Sequence, residues 1–441
     1  MLKVLLIQST QYSANGRKLC KQQKIYLPGL AFPLLASFVP SNWQLEIAIE
    51  VVDDINFESD ADIIGIGAMG HAIFRAIDIA KEFRKRGKTV FMGGYMPSLI
   101  PWFVDEYCDG VIIGDAEISF PLLLNDFETT GRISKRYQNP LTSLEGLPLP
   151  KYELLLDKKT GFMLPVQAGR GCPHQCSYCS IACIYKGRYM ARPVNEVIRD
   201  ILKIKELGFR YFYLLDDNII GNPRFFEELC QRIQPLKMKW ASQCAIDLAR
   251  NPRLLKLAAD SGCNIMSLGI ESITQEGLDR LNKTWVRTSE HELLLDKISK
   301  AGIIPATEMM LGTDSDTVES IRNTFDFVMR TKIPIPKFYI LTPMPGSVLY
   351  EEYKAKGRLL HEDYNYYTAT NCVHSPAKLS PEELDRMYWW LYREVYSLPN
   401  ILKRTLLNRN FFLRPLPYLF AFIVNLNYRR SIKNGDAPNI F

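Results

Sequence analysis

Three cysteines lie close together in the stretch GRGCPHQCSYCS, residues 169–180. Cys172, Cys176 and Cys179 have the spacing C-x3-C-x2-C, so one loop can present three thiolates. Three thiolates can hold three irons of a cubane [4Fe-4S] cluster. The fourth iron would then have no protein ligand, and an open coordination position indicates a reactive centre rather than a structural one.

A structural zinc site is the alternative for this loop. Zinc would need a fourth Cys or His, and His174 and Cys183 are both near enough in sequence to serve. Structural zinc sites of this kind belong to small self-contained folds. Here the loop follows a strand of a long α/β series and is preceded by Gly169 and Gly171, which favours the cluster.

The residues around the cysteines predict a barrel. Six apolar runs, FMLPVQAG, FRYFYLLDD, MKWASQCA, NIMSLGIES, IPATEMMLG and PKFYILTP, alternate with helical patterns such as VNEVIRDILKIKELG. Six βα units are too few for a closed eight-fold barrel and fit a partial (β/α)6 TIM-type barrel over 161–355. The cysteine loop follows the first of these strands, at the edge where such barrels place their sites.

A second alternating series precedes the barrel. The runs KVLLIQ, LEIAIEVV, ADIIGIGA, KTVFMGG and DGVIIGDAE, with the helical pattern HAIFRAIDIAKEFRKRG between the third and fourth, predict a parallel sheet covered on both faces. We therefore expect an α/β chain with a doubly wound Rossmann-like domain over 1–130, a linker over 131–160, the barrel, and a helical C-terminal region over 356–441.

Composition narrows the classes of function. The 441 residues are 47% hydrophobic and 23% charged, as in a globular protein of two or three domains. A net charge of +6 without a basic block gives no support for nucleic-acid binding.

The apolar run at the start is too short for a secretory signal and predicts a strand and a cytoplasmic location. No apolar stretch reaches the roughly 18 residues of a transmembrane span; the nearest, YLFAFIV, predicts a core helix, with a peripheral contact to a membrane or an apolar substrate as the alternative.

The cysteine spacing, with Tyr178 before the last cysteine and a six-unit barrel around it, resembles the radical S-adenosylmethionine (SAM) superfamily. The resemblance implies that SAM chelates the fourth iron and is reductively cleaved to a 5'-deoxyadenosyl radical, which abstracts hydrogen from an inert carbon. It also implies an electron donor such as flavodoxin or ferredoxin.

The resemblance extends along the barrel and implies further site residues. The usual glycine-glycine-glutamate after the second strand is absent, and Asp216 and Asp217 instead resemble the paired aspartates of members with a cobalamin-type domain. Glu271 and Ser272 match positions that reach the ribose and carboxylate of SAM. Thr342 and Pro343 lie in a segment close to the sixth-strand motif beside the adenine. At the fifth strand, Thr313, Asp314 and Ser315 replace the usual proline-glycine-glutamate. For Asp216, Asp217 and Glu271 a structural role, as a helix cap or ion-pair partner, stays open.

The first domain resembles the cobalamin-binding domain fused to a large branch of this superfamily. The matching residues follow its third, fourth and fifth strands: Ala68, Met69, Gly70, His71, Gly93, Gly94, Gly114, Asp115 and Glu117. Glycines let backbone approach a flat macrocycle. The cobalt-ligating histidine of the mutase type is absent from QSTQYSANG, although members of the radical branch often lack it. Cobalamin is therefore expected, and a domain that keeps the fold without the cofactor is the alternative.

Two functions share every cluster residue. One is cobalamin-dependent radical C-methylation of a small molecule in a biosynthetic pathway, with a hydrophobic substrate such as a lipid or tetrapyrrole as one option. The other is cobalamin-independent cyclisation, dehydration or epimerisation with the first domain as scaffold. A methylthiotransferase would need three cysteines in the first domain, where only Cys20 and Cys108 occur. The aromatic helix MYWWLYREVY could cover the open side of the barrel or meet an apolar substrate, and core packing is the simpler interpretation.

Overall fold

The computed structural model describes residues 1–13 and 18–438, and the stretch QSTQYSANG and the predicted C-terminal region each extend outside the described residues. The chain divides into two compact units. One comprises Met1–Pro165 with Arg199–Phe209, and the other comprises Val166–Ile198 with the residues from Arg210 onward.

The first unit contains a sheet of six strands. They are β1 (Lys3–Gln8), β2 (Gln44–Ile49), β3 (Ile63–Gly67), β4 (Thr89–Gly93), β5 (Gly110–Ile112) and β6 (Arg136–Tyr137). The helices are α1 (Ala31–Leu35), α2 (Ala72–Lys85), α3 (Tyr95–Leu99), α4 (Pro101–Val104) and α5 (Ser119–Thr130), with short 3-10 turns at Ala36–Phe38 and Tyr152–Leu155. The strand order is β2-β1-β3-β4-β5-β6, and every pair is parallel. This confirms the predicted doubly wound fold, and it adds β6, a strand inside the segment interpreted as linker.

The strand order places a crevice in the first unit. The chain runs outward from β1 in both directions, to β2 on one side and to β3 on the other. Loops that leave neighbouring strands in opposite directions open a crevice at the carboxyl ends, which is where doubly wound folds bind ligands. Val4, Leu6 and Ile7 of β1 are fully buried, which shows that both faces of the sheet are covered. This burial stabilises the arrangement of the strands.

The second unit contains the barrel sheet. Its strands and a small hairpin are β7 (Met163–Gln167), β8 (Gly169–Gly171), β9 (Tyr189–Ala191), β10 (Tyr211–Leu215), β11 (Lys239–Ala245), β12 (Cys263–Glu271), β13 (Ile304–Leu311) and β14 (Ile335–Ile340). The sheet has the order β14-β13-β12-β11-β10-β7, so successive strands are neighbours, as in a partial barrel. The hairpin of β8 and β9 was not predicted from the sequence; it pairs antiparallel on either side of the cysteine loop.

The helices that follow these strands include α6 (Ser180–Tyr185), α7 (Val194–Glu206), α8 (Pro223–Ile233), α9 (Pro252–Asp260), α10 (Gln275–Arg280), α11 (His291–Lys300), α12 (Val318–Thr331) and α13 (Val348–Ala355). Three more form the C-terminal region: α14 (Pro381–Val395), α15 (Leu398–Arg404) and α16 (Pro415–Lys433). Short 3-10 turns lie at Gln234–Leu236, Ile246–Arg250, Thr288–Glu290 and Tyr364–Tyr366. Within the described residues, none of these helices combines the length and the apolar character that crossing a membrane requires.

Helix α14 covers the edge of the barrel sheet. It begins with a capping box between Ser380 and Glu383 and with Pro381 in its first turn, and these residues fix where the helix begins. The hydroxyl of Tyr392 donates to the Phe338 carbonyl at 2.9 Å and accepts from the Phe338 amide at 3.0 Å, which satisfies backbone groups of the edge strand β14. Trp389 and Trp390 are half-buried, and Trp390 contacts Phe325 of α12. The aromatic helix therefore packs as core, in agreement with the simpler interpretation.

Candidate active site

The cysteine loop leaves the barrel through the hairpin of β8 and β9. Gly171 has a φ of +82°, and a Cβ there would lie 2.1 Å from the Arg188 carbonyl oxygen. A Cβ at Gly169 would lie 2.5 Å from a carboxylate oxygen of Asp216. Both glycines before the cysteines are thus required by close packing, because any side chain would displace backbone or a buried carboxyl group.

The loop between Cys172 and Cys179 is tied to two other loops. The amide of Ser177 donates to the Leu281 carbonyl at 3.0 Å, and its own carbonyl accepts from the Leu349 amide at 2.9 Å. Tyr178, the aromatic residue of the motif, packs against Leu281, Leu341 and Leu349. The predicted cluster loop therefore lies at the carboxyl edge of the barrel sheet, held by segments that follow β12 and β14.

The three thiols suit a cluster of several irons. All three are free and partly buried, and burial raises the pKa of each, that of Cys176 to about 12. Thiolates in this setting need neighbouring positive charge, which iron supplies on binding. The Asn218 side-chain amide lies 3.7 Å from the Cys172 sulfur and can donate to it. Across residues 1–13 and 18–438 no three Cys, His, Asp or Glu side chains gather around one point as ligands of a single ion; in a cubane each cysteine binds its own iron.

The other ligands that a zinc site could use have different contacts. The His174 ring stacks on Trp285 with 3.8 Å between centroids and 5° between planes. The Cys183 thiol donates to the Cys179 carbonyl at 3.4 Å from within α6. Both side chains therefore have structural partners, and the donor set that remains is the three cysteines.

The paired aspartates support the cysteine loop. Asp217 accepts the Gly171 amide at 2.6 Å, immediately before Cys172. Asp216 is buried and accepts the Tyr189 hydroxyl and the Asn218 amide, both at 2.8 Å. Burial raises the pKa of Asp216 to about 8, so its carboxyl group is largely protonated at neutral pH. These contacts are structural, and the catalytic role expected for the two residues stays a prediction.

Glu271 lies in a strained position at the carboxyl end of β12. Its φ is +60°, rare for a residue with a side chain, and the β12–β13 register shifts beside it. Lys283 donates to the Glu271 carboxylate at 2.9 Å and to the Gly269 carbonyl at 2.8 Å, and both side chains of the pair are almost fully buried. Strain at a buried ion pair is typical of functional sites. Lys283 was not identified from the sequence, where it has no motif of its own.

The remaining SAM-site residues lie at the same edge. Ser272 follows Glu271, is buried, and its hydroxyl lies 3.1 Å from that of Thr274. Thr342 and Pro343 follow β14, and the Thr342 hydroxyl donates to the Ile340 carbonyl at 3.0 Å. The structure therefore brings all the barrel residues expected from the sequence to the carboxyl edge of one sheet. Their assignment to individual atoms of SAM stays a prediction.

One face of the barrel sheet is open to solvent. Along β12, Met266, Leu268 and Ile270 are buried, whereas the residues between them are partly exposed. Gln243 is exposed although β11 lies between β10 and β12 in the sheet. The alternation shows that this second face, here called the inner face, is accessible to solvent.

The inner face carries a charged cluster that sequence reasoning missed. Glu308 on β13 accepts from Ser267 at 2.8 Å and from Lys337 on β14 at 3.1 Å. Burial alone would raise the pKa of Glu308, but Lys337, Ser267 and Tyr339 together outweigh it and lower that pKa. A carboxylate is therefore maintained within the barrel, where it can orient a polar group of a substrate.

Replacing Glu308 by glutamine tests this charge. Lys337 would lose its carboxylate, so we expect the variant to be less stable by about 3 kcal/mol at pH 7. A lowered pKa means that the stabilisation is present above the ordinary value of 4.5 and is lost as the pH falls through the folded-state value. Thermal unfolding of cluster-loaded protein, followed from pH 7 to well below pH 4.5, measures the difference, with exposed Glu228→Gln as the matched control. A difference that does not change with pH would contradict a charged Glu308.

The residues assigned to cobalamin lie together at the crevice of the first unit. Ala68, Met69, Gly70 and His71 follow β3, Gly93 ends β4 and precedes Gly94, and Gly114, Asp115 and Glu117 follow β5. Met69 is 72% exposed, while His71 is the residue from which α2 begins, and burial lowers its pKa. Gly70 and Gly114 have positive φ, and a Cβ at either would meet nothing within 4 Å. The edge thus offers exposed apolar surface and open space beside backbone, which fits a flat macrocycle.

A buried ion pair stabilises the same edge and was not predicted. Glu50, directly after β2, pairs with Arg75 of α2 at 2.6 Å and accepts the Thr10 amide at 3.0 Å. The Ser9 hydroxyl donates to the Gly67 carbonyl at 3.1 Å. These contacts join the ends of β1, β2 and β3. Charged and polar interactions, in addition to loop packing, therefore hold the crevice in shape.

Comparison with known proteins agrees with this geometry. Residues 166–328 match the family model of the radical SAM superfamily. A curated relative, bacteriochlorophyllide d C-8(2)-methyltransferase of Chlorobaculum tepidum, is 29% identical over 86% of this chain and 88% of its own. Two solved structures resemble the fold: the radical SAM methyltransferase TsrM of Kitasatospora setae, 15% identical, TM-score 0.71, covering 98% and 99% of the two chains, and the cobalamin-dependent SAM radical enzyme OxsB, 14% identical, TM-score 0.68, covering 98% and 73%.

The cysteine loop, the partial barrel and the doubly wound unit before it are therefore accounted for together. Residues 166–328 are a radical SAM domain, and the chain is an enzyme that shares the fold of TsrM and OxsB.

Proposed function

We propose that this chain is a cobalamin-dependent radical SAM methyltransferase that methylates carbon in a small hydrophobic molecule. The observation that carries the proposal is the glycine-lined crevice of the first unit, present in one chain with a three-cysteine loop at the edge of a partial barrel. The relative named for bacteriochlorophyllide methylation, which aligns over most of both chains, supports methyl transfer and an apolar substrate.

Each part of the chain has a defined task in this proposal. When bound, the cluster supplies the electron that cleaves SAM, and cobalamin carries the methyl group. Cys172, Cys176 and Cys179 hold the cluster, and the Glu271–Lys283 pair orients the amino acid and ribose portions of SAM. The inner face binds the substrate and excludes water from it.

The proposal assigns residues 1–130 to the cobalamin-type domain, 131–160 to the linker, 161–355 to the barrel and 356–441 to the helical region. The enzyme would act in the cytoplasm. A small redox protein such as flavodoxin or ferredoxin would supply the electron.

The first test is the metal content of protein produced anaerobically with hydroxocobalamin. We expect near four irons and one cobalt per chain, with little zinc. The substitution Gly114→Phe, which directs a ring into the open space of the crevice, should lower bound cobalt by about tenfold while iron is unchanged. Gly87→Phe is the matched control, because Gly87 also has a positive φ and open space around it but precedes β4 at the amino edge of the sheet.

Each outcome decides between the two functions. Cobalt that is lost from Gly114→Phe and retained by Gly87→Phe supports methylation with the crevice as the cofactor site. Four irons without cobalt in the unmodified protein would contradict the proposal and favour cyclisation, dehydration or epimerisation, with the first unit as scaffold.

A further inference from the structure

A group of large apolar side chains is exposed near the end of the described chain. Phe412, Leu413 and Leu416 are 85%, 79% and 77% exposed, and Leu419 and Ile423 continue the group along α16. We call these five residues the C-terminal patch. Single exposed apolar residues are normal, but five large ones within residues 412–423 indicate an interaction surface.

The patch is held in place by an ordered helix. The opposite side of α16 buries Tyr418, Ala421 and Tyr428 in the second unit. In the same stripe, Asn425 donates to the Pro334 carbonyl at 2.9 Å and accepts from the buried Arg404 at 2.9 Å. The helix is therefore anchored by one stripe, while Leu416, Leu419 and Ile423, spaced three and four residues apart, form a second apolar stripe on its outer side.

The charge around the patch is strongly positive. Residues 399–438 contain seven basic residues and one acidic residue, Asp436, so this segment carries a net charge of +6. The whole chain has the same net charge of +6, which means that the rest of the chain sums to zero. Five of the basic side chains are exposed: Lys403, Arg409, Arg414, Arg430 and Lys433.

We propose that the C-terminal patch docks on the surface of a membrane that contains anionic lipid. Apolar side chains at one end of a helix and basic ones around them are the pattern of proteins that lie in the interface. A second copy of the chain fits this surface less well, because two such faces would bring exposed basic side chains such as Arg414, Arg430 and Lys433 against each other. The inference goes beyond the proposed function, since it concerns neither the cluster nor cobalamin.

Vesicle flotation of the full-length protein tests the proposal. We expect binding to vesicles of phosphatidylcholine with phosphatidylglycerol, about tenfold weaker binding to phosphatidylcholine alone, and weakening by salt. Phe412→Ser with Leu416→Ser should reduce binding to the anionic vesicles by about tenfold, because it removes apolar area that the lipid would bury. Arg430→Gln with Lys433→Gln should reduce binding to the anionic vesicles by about fivefold or more, because each basic group near the membrane surface adds to the attraction to anionic lipid.

The control variants are exposed apolar residues elsewhere, Trp102→Ser and Leu293→Ser, which should bind as the unmodified protein does. All altered side chains are exposed, so circular dichroism and thermal unfolding should not change. Three results would overturn the proposal: no binding to anionic vesicles, equal binding by the patch variant and the controls, or a dimer in light scattering that the patch substitutions dissociate.

Discussion

Replacing Cys176 by alanine is expected to abolish formation of 5'-deoxyadenosine. The cluster carries chemistry that no side chain supplies, so loss of one iron ligand should lower SAM cleavage by about a thousandfold or more. Burial raises the pKa of Cys176 to about 12, and bound metal would offset the cost of its thiolate. Single-turnover assays with dithionite, analysed for 5'-deoxyadenosine, measure the effect.

Cys183→Ala is the matched control for this substitution. Cys183 lies four residues after Cys179, in α6, and its thiol donates to the Cys179 carbonyl. A three-cysteine cluster predicts that Cys183→Ala keeps its iron and its SAM cleavage, whereas a zinc site with Cys183 as its fourth ligand predicts that both substitutions remove the metal equally. Retained SAM cleavage in Cys176→Ala would refute the cluster assignment outright.

The contrast between these two cysteines shows what local sequence can and cannot predict. Cluster spacing is local, so Cys172, Cys176 and Cys179 could be identified without a structure. Apolar runs likewise predicted β1 to β5 of the first sheet and the six barrel strands β7 and β10 to β14. The hairpin of β8 and β9 was missed because its strands, Gly169–Gly171 and Tyr189–Ala191, are three residues long and contain two glycines.

Charged pairs within the sites were missed for a different reason. Glu308 and Lys337 are 29 residues apart, and they meet because β13 and β14 pair in a register that places them opposite each other. Glu50 and Arg75 likewise come from a strand end and a helix. None of these four residues belongs to a sequence motif. Only the packing of neighbouring elements brings each pair together, so neither pair could be predicted from spacing.

Replacing Lys283 by methionine is expected to destabilise the second unit by about 3–5 kcal/mol. The substitution keeps the length of the side chain but leaves the buried Glu271 carboxylate without its cation. Glu271 is also held at a φ of +60°, and loss of Lys283 removes the contact that holds its carboxylate in that position. Thermal unfolding of the cluster-loaded protein under anaerobic conditions measures the loss.

The double variant Lys283→Met with Glu271→Gln separates stability from chemistry. Removing both charges leaves no buried ion, so we expect it to regain about 2 kcal/mol or more relative to Lys283→Met alone. SAM cleavage should nevertheless be lost in both single variants and in the double variant, because the proposed function assigns the orientation of SAM to this carboxylate and ammonium. If the double variant regained SAM cleavage together with stability, the pair would be a structural feature only. A buried ion pair is costly compared with apolar packing, so the proposed role in binding a charged ligand gives a reason for its presence at a strained strand end.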